Sequence, residues 1–357
     1  MSGLSRRQIL VGSAAVGLTT LIGACAPAAE PTLAPTAAPP TVAPAETAPV
    51  PTAIPPIPAA KAAPPEPTGA PASAPPASAP REPTPTPPGA ADLAVVHGAD
   101  AAAITERALA AIGGIERFVK AGYDVIVKPN ICTAYFGPEY AATTNPDVVA
   151  TLVRLCLGAG AKRVRVMDSP FGGTAAAAYA KSGIEAAVRA AGGEMELMAT
   201  MAFADTAIPE GRDITSWRVY QPILEADLVI NVPIAKHHNL ARLTLSGKNL
   251  MGTIEDRGSI HRNLGQRIAD LASLIRPPLT VMDAVRILMA NGPTGGNLND
   301  VKALDTVIAG TDMVAIDAYA TRWFDRRPAD VAYIVKEAEM GLGTTDLSSL
   351  TIAELAL

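Results

Sequence analysis

Aromatic residues make up only 4% of the 357 residues, and that scarcity removes a class of partners. Single-stranded nucleic acid is held by stacking bases on aromatic faces, so no such platform is expected. A formal net charge of −5 also argues against a general binder of nucleic acid or anionic membrane. Cysteine is nearly missing: Cys25, Cys132 and Cys156 form no CxxC, so no ferredoxin-type or zinc-ribbon ligand run exists. The four histidines show no HxxxH or HExxH spacing, which withholds the usual helical metal motifs. The first strand–helix unit lacks GxGxxG. Ser246-Gly247-Lys248-Asn249 lacks the upstream Gly and the downstream Ser/Thr of a P-loop, and GxSxG is absent. Nucleotide binding and nucleophilic hydrolysis therefore have no positive support. Beyond the first 25 residues no apolar run is long enough to cross a bilayer.

Proline, by contrast, is plentiful, and its placement organises the chain. Of 33 prolines, 22 lie between Pro27 and Pro88. Residues 26–91, rich in Pro, Ala and Thr, read as a disordered linker of polyproline character. About 65 such residues at about 3 Å each reach on the order of 200 Å when extended, a tether that suits a membrane or cell-wall setting. Ahead of it, residues 1–25 read as an export signal. Ser5-Arg6-Arg7-Gln8-Ile9-Leu10 resembles the twin-arginine pattern, and Ile22-Gly23-Ala24-Cys25 a lipobox with Cys25 as the lipidated residue. The expected location is the outer face of the cytoplasmic membrane, with the lipid as the only membrane contact.

Residues 92–357 are long enough for one sizeable core. The pattern predicts an α/β domain: a mostly parallel open sheet with helices on both faces, arranged in one body or in two lobes around a cleft. Expected strands include Leu93–Val96, Val125–Val127, Arg163–Met167, Leu228–Val232, Leu279–Val285 and Leu304–Ala309. Expected helices include 101–120, one starting at Asn145-Pro146, 264–274, and one running from Asp312 to about Phe324. Residues 200–223 read as irregular or antiparallel, with Trp217–Tyr220 an edge strand, and the last residues read as helical.

The chemistry concentrates between Asp227 and Arg262, where three of the four histidines lie. A buried strand breaks at Pro233, and Lys236, His237, His238, Lys248, Asn249, Arg257 and His261 follow on what reads as loop. Lys128, Lys236 and Lys248 each lie near a predicted strand end, and in a doubly wound sheet those ends share one rim. Lys and Arg supply charge for carboxylate or phosphate, while Asn130 and Asn249 add oriented amides. Asp168 and Asp283 end strands on that rim, as a base or a lysine partner; Asp312 reads as a helix cap. His237 or His261 suits proton transfer. His237, His238 and His261 also admit a metal, while structural roles remain open to each. Gly292, in the Gly292-Pro293-Thr294-Gly295-Gly296 loop, allows close backbone approach to an anion, or makes a plain turn. Cys132 and Cys156 allow a disulfide, although Cys156 fits a buried helix position.

Taken in order, these pieces resemble the bacterial and archaeal family called domain of unknown function 362. They are Val125-Ile126-Val127-Lys128-Pro129-Asn130, the Thr144-Asn145-Pro146 helix start, Gly158 to Asp168, Asp227 to His237, Leu245 to Gly252, Arg257 with His261, Asp283, Gly292-Pro293 and Asp312 to Asp317. The resemblance spans about Val125 to Phe324 and implies no established reaction. Some members carry ferredoxin-type cysteine clusters, which this chain lacks. A more distant similarity to nickel-dependent lactate racemases rests on a lysine- and histidine-rich α/β cleft. The expected ligand is a small anion, with no assigned cofactor. Three functions stay open: an enzyme acting on that anion, a non-catalytic solute-binding or sensing lipoprotein, and a metal- or iron–sulfur-related redox accessory protein.

Overall fold

Alternation of side chains along apolar strands sets the architecture, because a strand buried on both faces must find helices above and below it. The computed structural model describes residues 86–357; the signal, Cys25 and most of the linker lie outside the described residues. In chain order the strands are β1 (Leu93–His97), β2 (Asp124–Pro129), β3 (Arg163–Val166), β4 (Glu194–Met195), β5 (Phe203–Ala207), β6 (Ser216–Tyr220), β7 (Leu228–Val232), β8 (Ile234–His238), β9 (Arg242–Thr244), β10 (Leu279–Leu288), β11 (Val301–Gly310) and β12 (Ile352–Ala356). The helices are α1 (Ala101–Ala111), α2 (Pro146–Gly158), α3 (Ala175–Lys181), α4 (Ile184–Ala190), α5 (Gln221–Glu225), α6 (Ser246–Asn249), α7 (Arg257–Ile260), α8 (Leu264–Ile275), α9 (Met313–Ala320) and α10 (Ala332–Glu339).

The main sheet runs β12-β1-β11-β10-β7-β2-β3-β4. Its half from β10 to β4 is parallel, whereas β11 pairs antiparallel with both β1 and β10. Past Pro233 the chain re-enters the sheet as β8, which pairs with β10 and turns back into β9. On one face Val125, Val127, Leu228 and Ile230 pack with Ile104 of α1, Leu152 of α2 and Val188 of α4. On the other, Ile126, Val229, Met282 and Ile308 pack with Ile268 of α8, Ile316 of α9 and Ile334 of α10. The open α/β sheet with helices on both faces is thus present. The described residues belong to one compact unit.

Three expectations are corrected. The helix expected over 101–120 ends at Ala111, because Gly113 and Gly114 take φ of 103° and 83°, left-handed values that stop a helix. The last residues are not helical: β12 pairs parallel with β1 and covers an otherwise open edge. The stretch after Pro233 is a strand, not a loop. The antiparallel reading of 200–223 holds, with β5 and β6 forming a two-stranded sheet.

Candidate functional site

Two polar residues interrupt neighbouring apolar strands at the same level: Lys128 of β2 lies opposite Asn231 of β7. Both are buried, and burial obliges them to find partners. Lys128 Nζ pairs with Asp168 Oδ1 at 2.7 Å and donates to the Pro129 carbonyl at 2.9 Å. The other Asp168 oxygen accepts the Ile131 N–H at 2.6 Å. Burial lowers the Lys128 pKa, and the Asp168 carboxylate opposes that shift.

A chain of amides extends from this pair. Lys236 Nζ donates to Asn130 Oδ1, Asn130 Nδ2 to Asn249 Oδ1, Asn249 Nδ2 to Asn231 Oδ1, and Asn231 Nδ2 to the Ser246 carbonyl, all at 2.8–3.0 Å. Lys236 also donates to the carbonyls of Ala142 and Pro293, at 2.6 and 3.1 Å. Every acceptor of Lys236 is thus neutral, and among the described residues no carboxylate pairs with it. Strands β2, β7 and β8 and helix α6 are locked together by side chains, not by packing alone.

In front of this network lies a cavity of about 420 Å³, within the range of small-molecule sites. Lys236, Lys248, Arg257, His238, His261, Asn130, Asn249, Asp168 and Cys132 contribute to its walls. Lys248 projects from α6, whose first N–H groups are held by the buried Asp317 carboxylate: Ser246 N donates at 2.8 Å and Gly247 N at 3.1 Å. Burial, then the charges of Lys236, Arg257 and Lys128, push Lys248 down to about 7, with Cys132 acting in the opposite sense. Arg257 donates to the carbonyls of Ser169 and Pro170, at 2.6 and 3.1 Å. His238 Nδ1 accepts the N–H groups of Leu240 and Ala241 at 3.1 and 3.2 Å, which assigns its proton to Nε2. Burial first, then the charges of Lys248 and Lys236, hold it down to about 3. His261 stands exposed at the rim.

The remaining sequence candidates lie elsewhere. His237, one position before His238 on β8, does not line the cavity; its Nδ1 accepts the Gly292 N–H at 3.2 Å. Asp283 is buried beneath α2, accepting the N–H groups of Asn145 and Val285, and burial raises it to about 7. Gly292 packs against the His237 backbone, where an added Cβ would come within 1.9 Å of the carbonyl oxygen. Lys128 backs the cavity without lining it. Cys132 and Cys156 are free thiols. Among the described residues no three of His, Cys, Asp and Glu gather to hold a metal ion.

Two features escaped sequence reasoning. Gly252 lines the cavity where a Cβ would lie 1.9 Å from Asp168 Oδ1 and 2.6 Å from Lys128 Nζ. Glu337, on α10, is fully buried beside Gly247, and among the described residues neither carboxyl oxygen has a hydrogen-bond partner. Burial, then the charges of Asp317 and Asp312, raise its pKa well above the usual carboxylate range. The only letters pointing to either were the glycines in Leu245 to Gly252.

The family described as "Domain of unknown function (DUF362)" matches residues 125–322. A thylakoid-associated protein of Synechocystis sp. is 27% identical over 243 residues, 66% of this chain and 73% of that protein. The lactate racemase apoprotein from Thermoanaerobacterium thermosaccharolyticum aligns at a TM-score of 0.36 and 11% identity, over 61% of this chain and 53% of that one. A Thermotoga maritima protein gives a TM-score of 0.37 and 11% identity, over 64% and 60%. This chain thus spans less than two thirds of either solved structure.

Proposed function

Since the chain belongs to the DUF362 family, whose description assigns no function, we propose from its own side chains that it binds, and as an enzyme transforms, a small carboxylate or phosphate. One observation carries this reading. Lys236, Lys248 and Arg257 face a single cavity, and Asp168, the one carboxylate lining it among the described residues, is already engaged by Lys128 and Ile131. Cations held close together without counter-charge favour an anionic ligand. The amide chain through Asn130 and Asn249 keeps Lys236 and α6 in place, so the site is organised before the ligand arrives.

Calorimetric titration with a panel of carboxylates and phosphates tests the reading. Arg257→Gln should weaken binding by about 1.5–3 kcal/mol, roughly tenfold to a hundredfold. A panel that binds nowhere, or binds the variant equally well, would sink it. Turnover of the bound anion separates an enzyme from a solute-binding or sensing protein. We further propose export by the twin-arginine route and lipid anchoring at Cys25, on the strength of Ser5 to Leu10 and Ile22 to Cys25. Cys25→Ser should move the protein from the membrane to the soluble fraction, and Arg6→Lys with Arg7→Lys should hold it in the cytoplasm.

A further inference from the structure

The three lysines of the site are not equivalent. Lys128 has three acceptors, Pro129 O, Asp168 Oδ1 and Asn249 Oδ1. Lys236 also has three, Asn130 Oδ1, Ala142 O and Pro293 O. Lys248 reaches the same cavity, yet among the described residues nothing accepts a hydrogen bond from its amine and no carboxylate pairs with it. Its backbone is nonetheless fixed on both sides, by Asp317 under Ser246 and Gly247 and by the amide chain through Asn249. The Lys248 amine thus lines the cavity without a partner among the described residues, on a backbone held from both sides.

We propose that Lys248 is an imine-forming nucleophile and that the ligand of the cavity is a small oxo acid, a carbonyl compound bearing a carboxylate. This deepens the anion-binding reading and rests on it. Arg257 takes the carboxylate with its remaining N–H groups, while Lys236, whose three N–H groups are already engaged, contributes charge alone. The adjacent carbonyl carbon then faces the wall that Lys248 lines. The neutral amine adds to that carbon, forming a C–N bond as the carbonyl π bond opens. The carbinolamine then loses its oxygen as water, which carries away both amine protons, and a C=N bond remains. No oxidant or reductant is consumed. Burial and the neighbouring cations lower Lys248 to about 7, so at neutral pH a large share of the amine is unprotonated and able to attack, as desolvated lysines beside other cations do. The Nε2–H of His238, which lines the same cavity, is the donor available to the carbinolamine oxygen.

Reductive trapping tests the proposal. The full chain is incubated at neutral pH with pyruvate or glyoxylate and cyanoborohydride, then analysed by intact mass and peptide mapping, while propionate binding is measured by calorimetry. The expected result is one reduced adduct per chain, on the peptide carrying Lys248. Lys248→Arg, which keeps a cation but cannot form an imine, should abolish the adduct while propionate still binds, more weakly than to wild type because Lys248 is one of the cations facing it. Mapping of the wild type itself keeps the test valid if the variant fails to fold. Propionate binding with no adduct, or with adducts spread evenly over other lysines, would overturn the imine and leave the anion site standing. Failure of both propionate and pyruvate to bind the wild type would overturn the anion reading, and the imine with it.

Discussion

At the scale of single residues the site depends on a side chain that is missing. Gly252 has no Cβ, and the space one would occupy holds the Lys128–Asp168 ion pair. A buried pair gains little over an apolar replacement, but breaking it by removing one partner strands a charge in a poorly solvating interior. Asp168→Asn should therefore lower unfolding free energy by about 3–5 kcal/mol, read by denaturant titration. Combining it with Lys128→Met should recover part of that loss, since the stranded cation disappears as well. Gly252→Ala should resemble Asp168→Asn, because the added methyl cannot coexist with Asp168 Oδ1 at 1.9 Å. If Gly252→Ala proves neutral, or the double variant is as unstable as the sum of its singles, the pair is not what braces this wall.

At the scale of elements, strand β8 decides which histidine matters. Successive side chains of a strand point to opposite faces, so Lys236 and His238 enter the cavity while His237 turns towards Gly292. Removing the His238 ring should weaken anion binding by about 0.5–1.5 kcal/mol, roughly twofold to tenfold, whereas His237→Ala should leave affinity unchanged. A larger loss in His237→Ala, measured by the same calorimetry, would contradict this assignment. The same strand shows what the letters could carry. The apolar run ending at Lys128 was legible as a strand end on a shared rim, and Asn145-Pro146 as a helix start, since each signal is local. The residues after Pro233 were not legible as a strand, because a run as polar as Lys-His-His is extended only through pairing with β10 and β9, contacts distant in sequence. Without the strand the alternation could not be applied, and His237 and His238 could not be ranked. Strand β12 was hidden for the same reason: the edge of β1 that it covers lies more than 250 residues away.

At the scale of the whole molecule the net charge is −5, yet one cavity concentrates cations, and this has a consequence for pH. Lys248 falls from an ordinary 10.5 to about 7 in the folded chain. Between those values the unfolded state binds more protons than the native state, so this group makes stability rise with pH from about 7 to 10.5. Asp283, raised by burial from 3.8 to about 7, acts oppositely below that window: the native state holds the extra proton, and its contribution is lost as pH rises from 3.8 to 7; burial shifts Asp317 in the same direction. A bound carboxylate gives Lys248 the counter-charge it lacks and must raise its pKa, so binding and protonation are linked. At pH 8 propionate should therefore bind with uptake of up to one proton per site, visible as different calorimetric enthalpies in HEPES and Tris. Uptake should vanish in Lys248→Arg, and wild-type affinity should fall as pH climbs above 7. Equal enthalpies in both buffers would mean that the anion does not meet this amine, and the cations of the cavity would then have to be explained without Lys248.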